Sequence, residues 1–278
     1  TIGDSPVLAS TRVGKTIIGF NPTSVGLDWK DFSVQVSDNG GFTGNVVSMP
    51  LAGEYTTIPN LFVGKVYYLR ENPGSAAVTS KVGYKVSTTV YSFYVTEEGK
   101  AVYSNTNKAN INAPNAVDAT EHDYIGSETQ GIPNELDTGD GGVVKVSSLP
   151  AVSEGNPCYS LENAVYKLYR KASPTAANTG GTEVGTLRTK ADGASNTVTL
   201  PVGYYYAVET EAPEGFLISR EPIPFVVERG KVTTIRAVDS PGNDPLHILL
   251  QKDDAELDEN IPQGQGALEG AEYTVKYY

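Results

Sequence analysis

One cysteine, one tryptophan, one methionine and two histidines are all that the 278 residues hold of those types. Cys158 alone cannot form an intrachain disulfide, so the chain either works under reducing conditions or, if exported, braces itself by another covalent means. His122 and His247 are isolated, which leaves no zinc site and no histidine-based nucleophile; no other residues show metal-ligand spacing, and no metal or cofactor is expected. Basic residues are short as well: 21 Lys and Arg stand against 33 Asp and Glu, for a net charge of -12 and a pI near 4.7. Electrostatic attraction to nucleic acid or to an anionic membrane is thereby excluded as a basis for function. No apolar run reaches the length of a membrane span, no signal peptide is visible, and no stretch carries a helical stripe. The opening at Thr1 and the strand-like end at 273–278 are read as those of a fragment.

Tyr, Val, Thr, Gly and Pro are abundant, a composition of strands and turns, and the length suits two ordinary domains with a remainder. The chain repeats itself. A first copy opens with a strand at Val13–Ile18, has a second at Phe32–Ser37, and places Lys65–Glu71 before a Pro-Gly turn. FYVTEEGKAV, from Phe93, then reads as a hairpin. A polar, Asn-rich excursion from Tyr103 to about Gln130 is too long for an ordinary connection, and a last strand is expected near 131–135. The run 137–142 has linker composition. A second copy opens at Val143–Ser147, has strands at 164–169, near 185–189 and at 196–200, and carries Tyr204–Val208 into the stretch VETEAPEGF. FVVERGKVTT, from Phe225, repeats the earlier hairpin, and the last strand is Thr233–Asp239. A third copy starts at 248–254 and 268–275. The implied domains are 1–140, with the excursion inserted, 141–241, and the truncated start of a third at 242–278. Short strands at regular spacing make the fold class all-β, as immunoglobulin-like β-sandwiches in tandem.

Alternation puts six polar residues on the apolar side of their strands. Lys145 faces with Val143, Glu209 with Tyr205 and Ala207, and Asp239 with Ile235 and Ala237. In the first copy they are Lys15, with Val13 and Ile17, then Glu71, with Tyr67 and Leu69, and Asn134. Burying an unpaired charge is expensive, so each needs a partner or must reach water. Solvent-facing strand ends and a simple Lys145–Asp239 salt bridge are the plain alternatives.

VETEAPEGF resembles the ET-x-AP-x-G-aromatic signature of the CnaB-type (prealbumin-like) domains of Gram-positive surface adhesins and pilins. The likeness extends through both copies and the stub and is strongest in the second. In that family the Glu promotes a spontaneous amide bond between a Lys of the first strand and an Asn or Asp of the last. The resemblance therefore implies cross-links Lys145–Asp239, promoted by Glu209, and Lys15–Asn134, promoted by Glu71, with Asn110, Asn112 and Asn115 as alternatives to Asn134. In an apolar core, amine and acid both approach neutrality. The amine can then attack the carboxyl carbon, with the Glu relaying protons and the fold supplying a high effective concentration. The reaction occurs once per domain, so it is self-processing and not enzymatic turnover.

What the resemblance implies for function is a stalk segment of a cell-wall-attached, extracellular adhesin or pilin-like protein. Its partners would be neighbouring domains of the same chain and, through parts not present, sortase and peptidoglycan. No LPxTG-type sorting signal or pilin lysine motif is seen. Two other readings stay open. The first copy is a ligand-binding adhesive domain for a host protein or glycan, which an aromatic-lined groove near 103–130 would favour, or the chain is a carbohydrate-binding accessory module.

Overall fold

The computed structural model describes residues 5–104, 120–242, 252, 266–267 and 269–274. Residues 1–242 form one compact unit and 243–278 another. Of the expected third copy, 242–278, only Gly242, Lys252, 266–267 and 269–274 fall among the described residues; they carry no strand, and Gly270 turns the chain with φ +84°.

The first unit is all-β, built as two sandwiches. The first comprises β1 (Leu8–Ile18), β2 (Ser33–Ser37), β3 (Val46–Pro50), β4 (Tyr55–Phe62), β5 (Tyr67–Glu71), β6 (Val90–Val95), β7 (Ala101–Ser104), β8 (Glu121–His122) and β9 (Ile132–Glu135). The second comprises β10 (Thr138–Ser147), β11 (Val165–Arg170), β12 (Thr182–Arg188), β13 (Val198–Pro201), β14 (Gly203–Glu211), β15 (Ile223–Val227) and β16 (Val232–Asp239). A three-stranded sheet, β4-β1-β9, faces β3-β2-β5-β6-β7-β8 in the first; β13-β10-β16 and β12-β11-β14-β15 are their counterparts in the second. In both, the first and last strands run parallel, side by side. Inward-facing side chains fill the space between the sheets: Phe32, Leu69, Tyr84, Phe93 and Ile132 in one core, and Tyr166, Leu168, Leu187, Tyr205 and Val227 in the other.

Two expectations need correction. The run 137–142 is not a linker beyond Asp137: from Thr138 it is the first half of β10, so a boundary at 140/141 falls inside a strand. The glycines there answer to close packing, since a Cβ on Gly139 would lie 2.2 Å from the Glu228 carbonyl oxygen, and a strand glycine is where another backbone comes near. FVVERGKVTT is likewise no hairpin. β15 pairs with β14 and β16 with β10, so the turn carries the chain from one sheet to the other. Its twin in the first sandwich does form a hairpin, β6 with β7, and the excursion intervenes before β9 closes the opposite sheet.

Candidate functional site

Each sandwich holds one polar cluster between its sheets. Lys15, Glu71, Asn134, Lys145, Glu209 and Asp239 are all buried, none more than 5% exposed. The register explains how they meet. Lys15 pairs with Ile132 on β9, and Asn134 stands two residues further along. Lys145 pairs with Ala237 on β16, and Asp239 stands two residues further along. In a pleated sheet that offset puts lysine and acceptor on one face as diagonal neighbours. Glu71 and Glu209 come from the facing sheet, paired with Val34 and Tyr166.

In the second sandwich Lys145 Nζ donates to Glu209 Oε1 at 2.6 Å and to the Tyr166 hydroxyl at 2.6 Å. It also contacts Asp239 Oδ2. The Tyr166 hydroxyl donates to Glu209 Oε1 at 3.1 Å, and the Ser219 backbone N–H holds Oε2 at 2.8 Å. Burial raises the Asp239 carboxyl to about 6; Lys145 opposes the rise and Glu209 adds to it. Tyr166 is raised too, first by burial and then by the carboxylates Glu209 and Asp239, so it remains a hydroxyl donor.

The first sandwich repeats the plan with an amide in place of the acid. Lys15 Nζ lies 3.3 Å from Glu71 Oε1 and donates to the Ile132 carbonyl at 3.1 Å. Asn134 Nδ2 donates to Glu71 Oε2 at 2.8 Å and to the Lys85 carbonyl at 2.6 Å, while its Oδ1 has no hydrogen-bond partner. The Ser87 N–H holds Glu71 Oε2. Desolvation lowers Lys15 to about 8, opposed by Glu71, and the Phe32 ring lies 5.4 Å from its nitrogen. Asn110, Asn112 and Asn115 lie outside the described residues.

The sequence reading missed Tyr166 and the two backbone donors. Alternation from Ala164 and Leu168 would have put Tyr166 on the inner face. The N–H groups of Ser87 and Ser219 carry no side-chain signature. The segment after Glu209 earns its motif through the turn it makes. Gly215 has φ +83°, and a Cβ there would lie 2.4 Å from the Cys158 carbonyl oxygen. Phe216 packs edge-on against Tyr159. Leu217 N bonds Ser240 O and Gly242 N bonds Gly215 O, which ties the turn to the chain just after Asp239. Chemically, each cluster sets a desolvated amine against a carboxyl or carboxamide, with a second carboxyl group placed to accept and return a proton.

Among curated proteins no match to the chain was found. Solved structures similar to it include the Bacillus anthracis TIE protein, at 21% identity and TM-score 0.46 over 84% of this chain and 34% of that one. The pilus adhesin SpaC of Lactobacillus rhamnosus GG is 13% identical, with TM-score 0.39 over 84% of this chain and 34% of that one. The minor pilin GBS52 of Streptococcus agalactiae is 13% identical, with TM-score 0.32 over 86% of this chain and 100% of that one. The chain thus spans about a third of the length of the first two. The family model described as SpaA, a prealbumin-like fold domain, matches residues 155–241, which carry Glu209 and Asp239. That stretch, β11 through β16, is thus similar to the prealbumin-like fold domain of the SpaA family.

Proposed function

We propose that the chain is a stalk segment of a bacterial cell-surface adhesin or pilin-like protein, in which each sandwich joins its own first and last strands through an amide bond. The observation that carries this reading is the recurrence of one arrangement in two sandwiches: a buried first-strand lysine, a glutamate from the facing sheet, and a last-strand Asp or Asn two residues past the lysine's partner. The amine of Lys145 adds to Cγ of Asp239, Glu209 takes the proton that the nitrogen sheds and returns it to the departing hydroxyl, and that hydroxyl leaves as water. In the first sandwich Glu71 touches Lys15 with one oxygen and Asn134 Nδ2 with the other. It can therefore carry a proton from the attacking nitrogen to the departing one, which leaves as ammonia. Tension on such a chain passes through covalent bonds instead of unzipping β1 from β9 or β10 from β16. By the arithmetic of loop closure, a bridge around nearly a whole sandwich adds on the order of 4–5 kcal/mol. Export, sortase attachment to peptidoglycan and further domains of the same kind beyond residue 242 belong to this proposal.

Intact mass of the purified, unfolded chain is the test. The expected value is the sequence mass less one water and one ammonia; a chain at full sequence mass would sink the reading. A second test uses pH. In Asn134→Ala the first bridge cannot form, yet Lys15 and Glu71 stay. The folded lysine titrates at about 8 and the unfolded one near 10.4, so between those values the unfolded chain binds the extra proton. Stability must then rise with pH across that window, by on the order of 3 kcal/mol. The amide of the parent protein does not titrate and lacks this rise. Urea midpoints measured from pH 7 to 11 distinguish the two, and an equal rise in both proteins would mean that Lys15 is a free amine in the parent.

A further inference from the structure

We propose that the first sandwich carries a binding site for a neutral pyranose sugar, in the cleft bounded by Trp29, Tyr55 and Tyr124. The cleft has a volume of about 380 Å³, within the range of small-molecule sites. Three aromatic side chains stand in its walls, and the rest of its lining is mostly polar, with Thr16, Asn21, Glu54 and Gln130 among it. A pyranose has the matching chemistry: a face of C–H groups that packs on an aromatic ring, and an edge of hydroxyls that both donate and accept. Aromatic faces provide rigid apolar area, amide side chains offer a donor and an acceptor each, and a carboxylate accepts from two hydroxyls at once.

The site is built in advance. Tyr55 and Tyr124 meet edge to face, with centroids 4.8 Å apart and planes at 68°, so their rings make a corner. Tyr124 lies against β1 where Gly14 leaves room, since a Cβ there would come within 2.7 Å of the ring. Trp29 sits on a short turn fixed by the Asp28 side chain accepting from Lys30 N–H and the Asp31 side chain accepting from Asp28 N–H. Tyr55 remains 46% exposed at the head of the edge strand β4. Tyr124 and Gln130 come from the excursion between β7 and β9, which the second sandwich lacks because β15 leads directly into β16. A sugar site gives that excursion a purpose that connecting β7 to β9 does not require. Glu54 at the rim and the net charge of -12 act against anionic sugars; Arg12, 5.5 Å from the Tyr55 ring centroid, and the buried Lys15 oppose them locally, so the charges at the cleft offset one another and a neutral sugar fits best. The inference does not rest on the amide cross-links.

Trp29 is the sole tryptophan of the chain, so its emission reports on the cleft alone. The full chain is titrated separately with galactose, mannose and N-acetylglucosamine, and with sialic acid as the anionic control. A saturable change is expected with at least one neutral sugar, at a dissociation constant on the order of millimolar, and a weaker one with sialic acid. Tyr55→Ala, an exposed position whose loss leaves the core intact, should weaken binding at least about tenfold; Glu54→Gln should weaken it severalfold with no change in melting temperature. No saturable response to any neutral sugar, a response equal in Tyr55→Ala, or stronger binding of sialic acid would each overturn the proposal.

Discussion

Glu209→Ala should restore the missing water, leaving the purified chain short of its own sequence mass by one ammonia alone, and should lower its melting temperature by more than about 10 °C. Two losses combine. Without Glu209 the amine of Lys145 has no group to take its proton, so the bridge to Asp239 does not form and its contribution of about 4–5 kcal/mol goes with it. The variant also strips the buried lysine of its 2.6 Å carboxylate contact and leaves the Tyr166 hydroxyl and the Ser219 N–H without their acceptor. Removing one partner of a buried ion pair by itself destabilises by about 3–5 kcal/mol. The two figures share the same side chains and do not simply add. Glu209→Gln separates them: it keeps an acceptor for Lys145, the Tyr166 hydroxyl and the Ser219 N–H but cannot take the amine's proton, so it should lose the bridge and yet retain more stability than Glu209→Ala. The first sandwich is the internal control, because its ammonia deficit depends on Glu71 and must persist in both variants. If Glu209→Ala still lacks its water, the glutamate has no part in the bond.

How far the sequence reveals this arrangement depends on the range of the interaction concerned. Period-two alternation is local, and it placed all six polar residues on the inner faces where the structure has them. The pairing of an opening-strand lysine with a final-strand acceptor came from the resemblance to CnaB-type domains, and the structure gathers those side chains around one glutamate in each sandwich. Choice of sheet is not local. FYVTEEGKAV and FVVERGKVTT have nearly the same turn chemistry, yet β7 stays beside β6 while β16 crosses to β10. A turn sequence cannot say which distant strand has an open edge. The glycines of 138–142 misled for a related reason. Glycine signals either freedom or crowding, and only the approach of Glu228 and Phe225 shows that here it is crowding. Tyr166 escaped notice because a tyrosine on an apolar face needs no special explanation until a lysine and a glutamate are found around its hydroxyl.

Arg170→Ala should uncouple the two sandwiches without unfolding either one. Arg170 is 2% exposed and reaches from β11 into the junction. Its guanidinium donates to Tyr205 Oη, to the Val202 carbonyl at 3.3 Å and, across the junction, to Ser24 Oγ at 3.2 Å. It stacks 3.9 Å from the centroid of Phe20, again in the first sandwich. Among the described residues no carboxylate pairs with it, so aromatic faces and neutral oxygens carry the charge, and burial lowers its proton affinity. Gly203 makes the geometry possible, since a Cβ there would lie 2.8 Å from the guanidinium. Around this centre Val202 packs into the first core, and Arg229 bonds the Ser80 and Tyr84 carbonyls from β15's side of the junction. Hydrogen bonds of about 1 kcal/mol each and a desolvated cation–π contact of about 2 kcal/mol are lost in the variant, partly offset because a charge no longer has to be buried. Calorimetry should then resolve two unfolding transitions where a single one is expected of the parent, and amide exchange should quicken at Ser24 and Val202 while the mass of the chain, corrected for the substitution, stays that of the parent. Arg170→Lys should behave like the alanine variant, because an ammonium keeps the charge but not the planar stack on Phe20. An unchanged single transition with unchanged exchange in both variants would mean that the junction holds without Arg170, and that the backbone bonds from Asp137 to Gly83 and from Arg229 to Lys81 suffice. The distinction matters for the proposed stalk: the proposed amide bridges would stop each sandwich from being pulled apart, but only a fixed junction would make the pair resist bending.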